Sequence, residues 1–489
     1  MKTTIRLIYA CCLPVLLLAA CSKSFLDLQP KGKVIAEATS DYDLALNAGG
    51  LATNGVDVGV PMGDEIIAFD NYFTSASSRS QRLFRWDDVI YDDGIYANEM
   101  STLMASLYAY NKVAAEVMSS AGGTDAQKKA LLAEAKGNRA WIDFILINLY
   151  GKPYNATTAA TDPGYPIVTA ADVTETAFTR VSVQAMYDFI VQDLTEAIPD
   201  LPVGIRSRIR MGKAAAEELL GKVYLFMGKP AQAKPVLDAA LTDLANTGAG
   251  TALTTMALYD YNVTLVAGGT WGYNPTTTAG TFFNGLPTQA QYTENILCRS
   301  VTSNVWSFTS SEYTLSPQAA QLFRSSDKRL NFFTTRPYNT ATAYPLAGAL
   351  RRNGPTGIQN GMTIAELYLL RAEAAARLGD TTTAKADLLT LRLKRMSSAD
   401  AAVPTGLTQK QLIQFVFDER LREFAVQGYR WFDMRRLSVD PLFAGAGYTH
   451  TLYSTTGAIS NTFTLRPERL TLRLPQAVMA QNAGMENNP

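Results

Sequence analysis

Residues 211–244 read MGKAAAEELLGKVYLFMGKPAQAKPVLDAALTDL, and their spacing decides the fold. Leu220-Gly221, Tyr224, Gly228, Ala233, Leu237 and Ala240 fall where a tetratricopeptide helix-turn-helix places its packing residues. Gly221 and Ala233 are small where two helices must approach closely, and Tyr224 and Leu237 fill the space between them. Pro230 suits the first turn of the second helix, where a missing N–H costs nothing. A second pair spans residues 364–396: Tyr368, Ala372, Ala375, Ala384, Leu388 and Leu391 supply the faces and Gly379 the break. Such pairs bury their faces only by stacking on one another. The chain is therefore read as mainly α, with irregular insertions and minor β-hairpins.

The pattern continues on both sides of these units. Ile95 to Met118 is helical in period. Thr124 and Gln127 form a capping box for a helix carrying Leu131, Leu132, Ala135, Ile142, Ile145 and Leu149, which serves as half of a further, degenerate pair. Ser182 caps another helix that ends at Pro199. Thr408 and Gln411 form a second capping box, opening a helix that runs to Gly428. Residues 462–465 and 470–474 alternate and are expected to pair as a small hairpin.

Three stretches do not fit a helical period. Leu51 to Ser80 contains Gly63-Asp64-Glu65 and Asp70-Asn71-Tyr72-Phe73, which read as an exposed polar and aromatic loop. Residues 245–313 are rich in Gly, Thr, Asn and aromatics, among them Tyr259, Tyr261, Trp271, Tyr273, Trp306 and Phe308. A run this long without secondary structure inside a compact protein is usually functional. Residues 336–361 form a smaller irregular insertion.

The N-terminus carries a different signal. Lys2 and Arg6 precede an apolar run from Leu7 to Ala20, too short to span a bilayer, which stops at small residues just before Cys21. Residues 1–20 are read as a signal peptide and residues 21–489 as one domain, with 22–39 as a tether, 245–313 as the ligand-face insertion and 408–489 as the C-terminal region. The arrangement resembles the lipobox of bacterial lipoproteins, in which the Cys becomes acylated and holds the body to a membrane. Several acyl chains on one residue make a lasting anchor, since each buried methylene contributes ~0.8 kcal/mol.

Composition excludes several function classes. Lys+Arg and Asp+Glu both number 44, a balance that argues against nucleic acid as partner. One His, His450, and one Cys beyond the signal and lipid positions, Cys298, make a zinc or haem site improbable. A Ser-His-Asp triad would need His450, which has no nucleophile motif beside it. Asp87-Asp88 and Asp92-Asp93 lack EF-hand spacing. No catalytic residue, cofactor or metal site is expected. The densest charge cluster, Glu419, Arg420, Glu423, Arg430, Asp433, Arg435 and Arg436, is read as a buried ion network rather than a glycosidase acid and base, because its acids at one helical turn need bases between them.

Four stretches together resemble the SusD/RagB family, surface lipoproteins of the Bacteroidetes. They are Cys21 with Phe25-Leu26-Asp27 and Pro30; Ala365-Glu366-Leu367-Tyr368-Leu369-Leu370-Arg371-Ala372-Glu373; Glu419-Arg420-Leu421-Arg422-Glu423-Phe424 continued by Gly428-Tyr429-Arg430-Trp431-Phe432-Asp433-Met434-Arg435-Arg436; and Leu474-Pro475-Gln476. The resemblance implies tetratricopeptide-like pairs in a right-handed superhelical scaffold with an irregular ligand face. It implies a non-enzymatic protein, lipid-anchored at Cys21 on the outside of the outer membrane, that hands an oligosaccharide to a SusC-like TonB-dependent transporter. A peptide ligand, as for RagB-type members, is the alternative; a lipoprotein glycosidase is the rival from another class. Flat aromatic rings cover the C–H face of a sugar while Asn, Asp and Arg bond its hydroxyls. Asn71, Tyr72 and Phe73 in the early loop, with Trp271, Tyr273 and Trp306 in the long insertion, are therefore the candidate ligand-binding residues.

Overall fold

A computed structural model of the chain describes residues 36–246, 256–277, 280–302, 310–355 and 357–489. The signal region, Cys21, most of the tether, Trp306 and Phe308 lie outside the described residues.

The helices of ten residues or more are α1 (Asn98–Glu116), α2 (Asp125–Tyr150), α3 (Val183–Ala197), α4 (Lys213–Phe226), α5 (Pro230–Ala245), α6 (Ile364–Arg377), α7 (Thr381–Leu393), α8 (Gln409–Phe424) and α9 (Tyr429–Ser438). The two pairs predicted from spacing are α4 with α5 and α6 with α7. A Cβ on Gly221 would stand 2.5 Å from the Leu237 side chain, so only glycine lets α4 and α5 close to this separation. Gly228 and Gly379 take φ of 70° and 80° at the two turns, a region that favours glycine. Both capping boxes form: the Gln127 N–H donates to Thr124 Oγ1 at 3.2 Å and the Gln411 N–H to Thr408 Oγ1 at 3.3 Å. α2 packs between α1 and α3, and α6 lies against α5, α7 and α8. One apolar core runs through α1 to α6, and another joins α6, α7, α8 and α9.

Four strands form a small mixed sheet. They are β1 (Ile66–Phe69), β2 (Thr314–Leu315), β3 (Thr449–Tyr453) and β4 (Ile459–Thr464), in the order β4-β3-β1-β2. β1 runs parallel to β3 and antiparallel to β2. Two expectations are corrected here. The 63–73 stretch is not an exposed loop: Glu65 and all of β1 are buried, because Ile66-Ile67-Ala68-Phe69 is covered on both faces. The C-terminal hairpin pairs β4 with β3, not with residues 470–474. A 3-10 turn at Pro467–Leu470 redirects the chain, and the Leu472 N–H donates instead to Leu149 O at the end of α2.

The charge cluster is a buried network that ties α8 to segments far apart in sequence. Glu419, fully buried, forms an ion pair with Arg329 at 2.7 Å and accepts from Arg392 and Arg422 at 2.5 Å each. Glu423 pairs with Arg329 at 2.8 Å and Arg395 at 2.7 Å, and Arg395 reaches on to Glu294 at 2.9 Å. Asp433 joins Arg420 to Arg436, and Arg436 continues to Glu373 on α6 at 2.6 Å. Arg430 pairs with Asp64 at 2.5 Å, and Arg435 donates to Gly151 O. Burial alone would raise the Glu419 and Glu423 carboxyls, but the arginines around them outweigh it and hold both below the ordinary range. Both acids thus stabilise the fold above the ordinary carboxylate value of about 4.3, and that stability is lost as the pH falls through their depressed values.

Removing one partner strands the others in the interior. Glu423→Ala is expected to cost about 3–5 kcal/mol in denaturant unfolding at neutral pH. Its deficit relative to the wild type should shrink as the pH is lowered through the depressed range. A variant as stable as the wild type would show the network to be dispensable.

Candidate ligand-binding site

β1 ends at Phe69, and Asp70–Phe73 makes a single helical turn beyond it. The turn splits its side chains. Phe73 goes inward and lies 5.1 Å from the Phe84 ring, Asn71 is exposed, and Tyr72 is half-buried. Across from Tyr72 stands Tyr344, T-shaped to it at 6.1 Å and stacked on Phe69 at 4.9 Å. Tyr453, at the end of β3, tilts onto Phe69 from the other side at 6.0 Å.

Phe69, Tyr72 and Tyr344 border an open depression of about 240 Å³. Asn71, Tyr72, Pro337, Thr340, Thr342, Tyr344, Pro345 and Thr455 line it. Its wall is held from behind. The Tyr344 N–H donates to Thr335 O at 2.8 Å and the Tyr338 N–H to Ser311 Oγ at 2.8 Å. Buried Arg351 lies 5.8 Å from the Tyr338 ring and donates to Arg336 O at 3.0 Å. On the hairpin side, Ser460 donates to Asp70 at 2.7 Å. The Tyr344 hydroxyl is buried beside Ser311, and burial pushes its pKa up, so it stays a neutral phenol. The lining thus offers one partly open ring, Tyr72, one amide and three threonine hydroxyls, and no carboxylate or cation among its described residues.

Two larger cavities lie elsewhere. One of about 600 Å³ sits between residues 38–43, the start of α2 and residues 202–212. Arg210 pairs there with Glu134 and Asp43, Arg206 is exposed at its edge, and its walls carry no aromatic ring. The other, about 490 Å³, lies between residues 283–290 and 353–357. The first lacks a flat face; the second sets half-buried Phe283 beside Thr53, Thr288, Gln289 and Asn353, and the smaller depression differs from it in holding Asn71 and Tyr72. Among the described residues no group of His, Cys, Asp and Glu is placed to hold a metal, and no helix is long and apolar enough to cross a membrane.

Residues 356–489 match the SusD family, and residues 24–225 match a family described as "Starch-binding associating with outer membrane". The chain belongs to the SusD family. No curated relative matches it. Among solved structures, this SusD-family chain is similar to a SusD superfamily protein from Bacteroides thetaiotaomicron, at 17% identity and TM-score 0.68, over 92% of this chain and 100% of that one. It is also similar to a SusD-like carbohydrate binding protein from Bacteroides vulgatus, at 17% identity and TM-score 0.57, over 86% and 85% of the two chains. A laminarin binding SusD-like protein aligns at 18% identity and TM-score 0.59, over 93% and 99%. These likenesses establish the shared mainly helical fold.

The five described candidate residues of this SusD-family chain separate, and Trp306 lies outside the described residues. Asn71 and Tyr72 meet at the depression. Phe73 and Trp271 are corrected to core positions, 4% and 3% exposed, which leaves neither ring a face for a sugar. Trp271 is enclosed by Tyr259 at 4.9 Å, Tyr261 at 5.1 Å and Tyr292 at 5.7 Å. Its neighbours pair with one another, Tyr261 and Tyr292 sharing a hydroxyl hydrogen bond of 2.8 Å. Tyr273 is half-buried against Phe283 and does not line the depression. Sequence reasoning passed over Tyr344, Thr340, Thr342 and Thr455. The available signal was Pro337-Tyr338-Asn339-Thr340-Ala341-Thr342-Ala343-Tyr344-Pro345, an aromatic and hydroxyl run bracketed by prolines.

Trp271→Ala tests the core assignment. It should cost about 3–5 kcal/mol of stability and leave ligand affinity per folded molecule at the wild-type value. Lost affinity in a variant of unchanged stability would return Trp271 to the binding site.

Proposed function

We propose that the protein captures an oligosaccharide at the Tyr72–Tyr344 depression without turning it over. The observation that carries this reading is the pairing of the partly open Tyr72 ring with neutral hydrogen-bonding groups at one open site. A pyranose has an apolar C–H face and a rim of hydroxyls, and Tyr72 with Asn71, Thr340, Thr342 and Thr455 matches both. Hydrolysis of a glycosidic bond needs two carboxyl groups flanking it, about 5–5.5 Å apart for retention and ~6.5–9.5 Å for inversion. The depression assembles no such pair. The names of relatives support a sugar ligand: one is a carbohydrate binding protein, another binds laminarin.

The setting follows from the N-terminal reading. Acylation at Cys21 tethers the body to the outer membrane on its outer side, where a SusC-like TonB-dependent transporter receives the bound glycan. The mainly helical body and the membership in the SusD family support that arrangement.

Two measurements test it. On a glycan array followed by calorimetry, Asn71→Ala and Tyr72→Ala should each weaken binding of the retained oligosaccharide by about 3- to 10-fold, since one stacking contact or hydrogen bond contributes ~0.5–1.5 kcal/mol. Wild-type affinity in both variants would move the site elsewhere. A fatty-acid probe fed to cells should label the wild type and not Cys21→Ser; an unlabelled wild type would remove the anchor from the account.

A further inference from the structure

The chain's one histidine has an unusual environment. His450 lies on β3, cross-strand from Phe463, and is fully buried. Its Nδ1 stands 2.6 Å from Phe84 O and its Nε2 2.7 Å from Gly63 O. Both partners are carbonyl oxygens and can only accept. A neutral imidazole carries one N–H, so either tautomer points a bare nitrogen lone pair at an oxygen. Only the imidazolium donates to both.

Other features favour the charged ring. It lies between Trp86 and Phe84, with centroids at 3.8 and 4.4 Å and planes within 14° and 9° of parallel. Aromatic faces attract a cation. Phe84 is in the last turn of the Ser78–Arg85 helix, so its carbonyl belongs to the negative end of that helix. The charged groups on the segments packed against the ring come from two elements, and of them Asp64 acts on it directly. The 63–65 segment brings Asp64, paired with Arg430, and Glu65, whose carboxyl burial and Asp64 push up to about 8. The helix brings Arg82 and Arg85, which are drawn off to Asp92 and Asp87. β4 contributes only Phe463. Burial presses the ring toward its neutral form and outweighs the pull of the two carbonyls and Asp64, which places its pKa below the ordinary value. Against that, the neutral form leaves one nitrogen facing an oxygen with nothing to donate.

We propose that His450 is an imidazolium in the folded protein, and that it is the positioning residue fastening the β3–β4 hairpin, and with it the Thr455 wall of the depression, to the segment that leads into β1. The positioning role rests on the binding reading above; the charge state does not. A folded-state value raised above the ordinary ~6.5 gives stability that is complete below that value and lost as the pH rises through the raised one.

Histidine-selective ¹⁵N labelling of the full chain reports on this residue alone. At neutral pH both ring nitrogens are expected in the protonated range, each coupled to a proton. One protonated and one bare nitrogen would overturn the proposal. The wild-type melting temperature should fall between about pH 7 and about pH 9. His450→Phe keeps the stack without the donors; it should melt lower at neutral pH and fall less over that range, keeping only the share due to the raised Glu65 carboxyl. An equal fall in His450→Phe would contradict the assignment. For the array-selected oligosaccharide, the wild-type Kd should rise about threefold or more over the same range, while that of His450→Phe is already raised and constant. A wild-type Kd that stays flat would refute the positioning role. If no glycan binds at all, the function proposed above fails, and the nitrogen spectrum still decides the charge state.

Discussion

The constraint on which the structure depends is that α8 and α9 bury their charges. A carboxylate or guanidinium taken out of water is tolerated only when partners surround it. Glu419 and Glu423 find theirs on the 327–329 segment and at the end of α7, and Arg395 carries the chain of pairs to Glu294. Glu294 in turn accepts from the Tyr259 N–H, and its carbonyl accepts from the Ile364 N–H at the start of α6. The network therefore pins the irregular region to the helical body at several points. It replaces the continuous apolar face that irregular backbone cannot present.

That pinning explains how aromatic residues divide between two tasks. Near the network they fill space. Trp271, Tyr261, Tyr292 and Phe332 form one cluster, with Arg395 stacked 4.0 Å over the Tyr261 ring. Farther out, past the short ladder that pairs Phe333–Thr334 with Arg351–Arg352, the chain reaches Pro337–Pro345 and the rings turn to the depression. Phe69 and Tyr344 are buried props, and the partly open ring is Tyr72. A rigid floor with a neutral polar rim suits a ligand recognised by shape and hydroxyl pattern, because little ordering entropy is lost on binding.

The helical half of this molecule was legible because it obeys a local rule. Gly221 against Leu237 and the capping boxes at Thr124 and Thr408 each act within a few tens of residues. The charge cluster was also legible, since acids one turn apart demand bases. What could not be read was long-range pairing. β1 is four apolar residues, too short for any period, and its partners lie at residues 314–315 and 449–453. The same limit governs the site. Asn71 and Tyr72 could be singled out as polar and aromatic loop residues, but nothing local distinguishes Tyr72 from Phe73 beside it. Only the helical turn after Phe69 sends one outward and the other to Phe84. Trp271 was misplaced for the same reason, as an aromatic residue in an irregular stretch packs inward or faces solvent according to partners distant in the chain.

Hydrogen exchange of the full protein with and without the oligosaccharide it retains on an array tests the central claim most directly. The account predicts slowed exchange confined to residues 69–74, 337–345 and 453–457, with α4 and α5 unchanged. Protection centred instead on residues 38–43, 121–134 and 202–212, or spread through the helical pairs, would contradict it.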